Sequence, residues 1–71
     1  MDKAQARKKL AELEQKIEEA EARVKNHELR VRRLAVRGLP TAGAEETLQN
    51  FKTSAQVLRD LRAQFKRRSE E

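Results

Sequence analysis

His27 and two runs of cations are the groups in this sequence whose types could do chemistry. A lone imidazole acts as a general acid or base only beside the group it serves, and a histidine metal centre needs further ligands. The 71 residues include no cysteine and no tyrosine, and no serine or threonine stands beside an evident base. Glu18 and Glu19 are neighbours, so on a helix their carboxylates diverge and form no acid–base pair. Gly38 and Gly43 lack the strand–turn–helix frame of a phosphate loop. The expectation is a non-enzymatic protein with no catalytic residue, no cofactor and no metal.

The cations are Arg30, Arg32, Arg33 and Arg37 in one cluster and Lys66, Arg67 and Arg68 in another, within a chain of net charge +5. Such clusters can contact phosphates. They can equally be solvated helix surface, with cations placed favourably at helix C-termini. No aromatic residues are interleaved to stack on single strands. A small basic nucleic-acid-binding protein is therefore the alternative reading rather than the first one.

These side chains must be held by helices. Gly38, Pro40 and Gly43 fall together near the middle, and Ala, Glu, Lys, Arg, Leu and Gln dominate on both sides. Asp2 can cap a first helix, with Gln5 three residues on, and nothing breaks it before Arg37. Gly38 suits a left-handed position after that helix, Leu39 and Leu34 are spaced as the apolar pair of a Schellman motif, and Pro40 cannot continue it. Thr41 can cap a second helix, with Glu45 and Glu46 near its positive end. The expected architecture is all-α: one domain, 1–71, with helix 1 over about 2–37, a turn at 38–41 (Gly38, Leu39, Pro40, Thr41) and helix 2 over about 42–68. So short a connection folds the helices back as an antiparallel hairpin. It is also tighter than a DNA-reading helix-turn-helix, whose shorter helices cross steeply.

Helix 1 carries a heptad: Leu10, Ile17, Val24 and Val31 at a, with Leu13, Ala20, His27 and Leu34 at d. Helix 2 continues with Ala44, Leu48, Phe51, Ala55 and Leu58. Arg62 then takes a stripe position, which predicts a shift toward Leu61 before Phe65 and a broader stripe suited to a bundle. With the turn near Pro40, the numbers of paired residues add to about eighty, so the first ten or so residues of helix 1 overhang and Leu10 and Leu13 lack an intrachain partner. Small chains without staples often gain stability by oligomerising. The expectation is a coiled-coil-like hairpin assembling into a dimeric four-helix bundle. Its interaction seam is Leu10, Leu13, Ile17, Val24, His27, Val31, Leu34, Leu48, Phe51, Leu58, Leu61 and Phe65. The partner is itself, as a homodimer, or another helical protein.

Charge along helix 1 is segregated. The g positions are Lys9, Lys16, Arg23 and Arg30, and the e positions are Glu14, Glu21 and Glu28. In a parallel homodimer each g cation meets an e′ carboxylate five residues on, which biases the two first helices toward a parallel contact. The same charges also offer Glu12–Lys16, Glu19–Arg23, Glu21–Lys25 and Glu28–Arg32 within the helix, each worth about 0.2–0.5 kcal/mol. His27 at d reads first as a polar residue that sets register or pairs with a neighbour. A pH switch is the second reading, because an imidazole titrates near neutrality. Leu29 and Val36 fall at outward f positions, with Ala22 one heptad earlier, and could form a second contact surface near the turn.

No apolar run is long enough to insert across a membrane, and no secretory signal core is present, so a cytoplasmic location is the expectation. A peripheral membrane helix fits poorly, since the polar faces mix both signs and tryptophan is missing. From His27 to Leu61 the chain resembles a group of short bacterial helical-hairpin proteins found mainly in alphaproteobacteria. The resemblance rests on Arg33-Leu34, Gly38-Leu39-Pro40-Thr41, Ala44-Glu45, Thr47-Leu48, Phe51 and Leu58-Arg59. It covers about half the chain and implies the hairpin turn; it carries no chemical motif and implies no activity.

Overall fold

The structure, a computed structural model, describes residues 2–70, the side chain of Ser69 excepted. It consists of α1, Lys3–Val36, and α2, Ala42–Glu70, folded against each other in a rod of 53 × 14 × 12 Å, with no strand among the described residues. Each helix begins and ends where the local chemistry requires. Asp2 sits in extended backbone and its Oδ1 accepts from the Gln5 N–H at 2.8 Å, which satisfies one of the free donors of the first turn of α1.

At the other end of α1 the Schellman geometry is complete. The Leu39 N–H donates to the Leu34 carbonyl at 2.9 Å and the Gly38 N–H to the Ala35 carbonyl at 3.0 Å. Gly38 has φ +70, a conformation that a side chain at Cβ would strain. Pro40 prevents further winding. Thr41 then opens α2, its carbonyl accepting from the Glu45 N–H at 2.8 Å. Inside α2, Thr47 and Thr53 turn their hydroxyls back to the carbonyls of Gly43 and Gln49, so both side chains spend their polarity on their own helix.

Three observations fix the register of the hairpin. The His27 ring meets Phe51, Arg59 reaches Glu21, and Leu10 and Glu14 share a groove with Arg62, Lys66 and Glu70. All agree with an antiparallel pair folded about Pro40.

One consequence drawn from that register is corrected. Leu10 and Leu13 do have intrachain cover: Leu13 is 8% exposed, Leu10 is half-buried, and Ala6 one heptad further out is buried. The reason is length. Helix α2 runs to Glu70, past the expected end near Arg68, and its last turns carry Phe65 and long basic side chains. On the register of the hairpin Leu13 lies opposite Arg67 and Leu10 opposite Glu70, both within α2. Within α2 the Arg68 guanidinium lies 5.5 Å from the centre of the Phe65 ring.

Candidate interaction surface

The apolar stripes of the two helices form one seam, and its burial is uneven. Ile17, Ala20, Ala6, Leu13 and Ala55 are buried. Leu10, Val24, His27, Val31, Leu34, Leu48, Phe51, Leu58 and Phe65 are half-buried. A single partner helix can cover a methyl group entirely, but it leaves one side of a larger residue open. Alanine at 6, 20 and 55 is therefore sealed while Phe51 and Leu58 are not. Sequence patterning alone gave Ala6 no weight, although it occupies the d position one heptad before Leu13.

The stripe on α2 does not shift. Leu61 is 37% exposed, whereas Arg62 is half-buried and holds the seam position. Three-and-four spacing runs unbroken through Leu58, Arg62 and Phe65, and the alkyl stem of an arginine can occupy an apolar position with its charge directed outward. Leu61 and Val57, which is 54% exposed, instead share an outer face of α2 one turn apart. Val57 had no sequence signal beyond its type, since its position falls outside the stripe.

His27 is placed edge-on against Phe51, with ring centroids 5.2 Å apart and planes at 77°. That is the favourable arrangement for two rings and gives the imidazole an apolar neighbour across the seam. Among the described residues no polar or charged side chain is buried, and no three His, Asp or Glu side chains gather as a metal ion would require. No helix among the described residues is long and apolar enough to cross a membrane.

Charges on the flanks are used differently from the in-helix scheme. None of the four pairs Glu12–Lys16, Glu19–Arg23, Glu21–Lys25 and Glu28–Arg32 closes. Glu12 pairs with Lys9 at 3.5 Å, Glu19 accepts from the Gln15 amide, and Glu21 crosses to Arg59 at 3.4 Å. Arg59 is itself steadied by the Gln56 side-chain oxygen at 2.9 Å. Register places two further positions of opposite charge in line with this one contact. Glu14, Glu21 and Glu28 recur at heptad spacing on α1, opposite Lys66, Arg59 and Lys52 on α2. The sum-of-eighty register that pairs the apolar residues pairs these charges too. The e flank of α1 thus runs beside cations of its own α2, with Glu21 engaged by Arg59, while Lys9, Lys16, Arg23 and Arg30 on the g flank are exposed.

The two basic clusters lie at opposite ends of the rod. Arg30, Arg32, Arg33 and Arg37 are exposed beside the turn, and Lys66, Arg67 and Arg68 are exposed on the last turns of α2. The structure does not bring them into one patch. Near the turn, Arg32, Arg33 and Arg37 line a shallow depression together with Leu29 and Val36.

No family model, curated protein or solved structure matches the chain.

Proposed function

We propose that this hairpin is a non-enzymatic interaction module that self-associates through its seam, two copies forming a four-helix bundle. The observation that carries this reading is the incomplete cover of the seam. Val24, Val31, Leu34, Leu48, Phe51, Leu58 and Phe65 stay half-buried when only one chain is present. Covering them removes apolar area from water at about 25 cal/mol per Å². The size is adequate: one long side of a rod 53 Å by 14 Å offers roughly 700 Å², close to the ~800 Å² per partner of a standard interface.

Charge selects the side. A two-fold interface requires a surface to meet itself. The flank carrying Glu14 and Glu21 beside Lys52, Arg59 and Lys66 presents both signs and is self-complementary. The flank carrying Lys9, Lys16, Arg23 and Arg30 would set cation against cation. The second copy therefore covers the mixed flank, whose open groove includes Val24, Lys52 and Arg59. The parallel pairing of first helices loses its main support, because Glu21 is engaged by Arg59 of the same chain.

Light scattering over a wide range of protein concentration tests the reading. The expected result is a mass twice that of the 8.2 kDa chain, falling on dilution. Val24→Asp should shift the mass to one chain while circular dichroism keeps its helical signal. A folded monomer at every concentration would overturn self-association and leave the seam to a different helical protein.

A further inference from the structure

The outer face of α1 carries a second, narrower stripe that the seam does not use. Ala22, Leu29 and Val36 lie on one line at heptad spacing, facing away from α2. Leu29 is 40% exposed and Val36 is 88% exposed, and Leu39 in the adjoining turn is 47% exposed. Lys25 and Arg32 border the line on one side, Arg33 and Arg37 on the other. Over the whole helix the polar faces mix both signs. From Ala22 to Arg37 they do not: the one carboxylate in that stretch, Glu28, is half-buried on the flank toward α2.

Serving the C-terminal helix dipole accounts for only part of this charge. Arg33 lies in the last turn of α1 and Arg37 is its C-cap, whereas Lys25, Arg30 and Arg32 lie further back. Arg30, Arg32, Arg33 and Arg37 make no ion pair among the described residues. An exposed aliphatic line with unneutralised arginines on both sides calls for an occupant that is anionic and apolar at once. Duplex nucleic acid offers phosphates but no partner for Leu29 and Val36. A second helix would need two apolar positions per heptad to interlock, and this stripe has one.

We propose that this face, at the turn end of the hairpin, binds an anionic phospholipid surface. Val36 and Leu29 enter the headgroup–acyl boundary, and Lys25, Arg32, Arg33 and Arg37 engage the phosphates around them. Arginine suits this place because its guanidinium matches phosphate geometry and its stem tolerates apolar surroundings. Basic clusters on amphipathic helices read anionic leaflets in this way. The face is distinct from the seam, so it does not depend on self-association.

The test is sedimentation of the full chain with vesicles of phosphatidylcholine alone and of phosphatidylcholine mixed with phosphatidylglycerol. The chain should bind the mixed vesicles, release them at high salt and ignore neutral ones. Val36→Ser should weaken binding about tenfold, from ~0.8 kcal/mol for each of two lost methyl groups. The pair Arg32→Gln and Arg33→Gln should weaken it about thirtyfold, from ~1 kcal/mol per cation near the surface. Leu61→Ser, on the other helix, should leave it unchanged. All these positions are exposed, so helicity is expected to persist, and circular dichroism verifies it. No binding to the mixed vesicles at low salt would overturn the proposal. So would binding insensitive to Val36→Ser, or a preference for duplex DNA over vesicles that the arginine pair abolishes and Val36→Ser does not touch.

Discussion

The two halves of this hairpin are built from the same heptad and end up differently. In the half remote from the turn, α1 buries Ala6, Leu13, Ile17 and Ala20, although Leu10 and, on α2, Leu58 and Phe65 are only half-buried. In the half beside the turn, Val24, His27, Val31 and Leu34 on α1 and Leu48 and Phe51 on α2 reach only half-burial, and Val36 and Leu39 are exposed. Apolar pattern does not explain the difference, since both halves have it. Cover does. The remote half has alanines that one helix can seal. Stability is thus concentrated at the open end, and spare apolar surface near the closed one.

Paired substitutions can break this contrast. Ile17→Asp places a carboxylate at a buried position and should cost about 4 kcal/mol, enough to unfold so small a domain. Val31→Asp, where water reaches the side chain, should cost less than about 2 kcal/mol. Equal losses in urea titrations would abolish the distinction. Milder changes sharpen it: Leu13→Ala should cost about 3 kcal/mol and Leu34→Ala about half of that, because the cavity and transfer penalties scale with burial. Both comparisons belong at a concentration where the chain is monomeric, since assembly would cover Leu34 as well.

The turn itself should be less sensitive than Ile17. Nothing lies within 4 Å of a Cβ built on Gly38, so Gly38→Ala tests the backbone alone. At φ +70 it should lower stability by about 1–2 kcal/mol, read as a shift in the thermal midpoint. The smallest effect is expected of the Glu21–Arg59 pair. Its side chains are 54% and 36% exposed, so a double-mutant cycle should return only about 0.2–1 kcal/mol of coupling. Exchanging the two residues should restore that coupling.

Much of this was legible in the sequence for reasons that can be named. Gly38, Leu39 and Pro40 specify the end of α1 through local backbone chemistry, which depends on no distant residue. The hairpin then follows from the short connection. The cover of Leu10 and Leu13 was less legible, because it depends on α2 running to Glu70, and no glycine or proline marks that end in the sequence. Leu61 was misplaced because a charged residue in the stripe was taken as a break, although the stem of Arg62 behaves as an apolar side chain. The Glu21–Arg59 contact follows from the same register arithmetic that pairs the apolar residues, since 21 and 59 add to eighty. The function was least legible, because interaction surfaces carry no motif.

The Schellman turn at Gly38 and Leu39 has a kinetic consequence. Contacts in an antiparallel hairpin close over longer and longer chain segments away from the turn, reaching a separation of 38 residues by Glu21 and Arg59. Each doubling of such a loop adds only about 0.6 kcal/mol of closure entropy, but the short loops close first. Folding should begin where the chain is least well covered and finish where it is best covered. Nucleation and durability then belong to different residues. Gly38→Ala should mainly slow refolding, Ile17→Val should mainly hasten unfolding, and the two limbs of a chevron plot separate them.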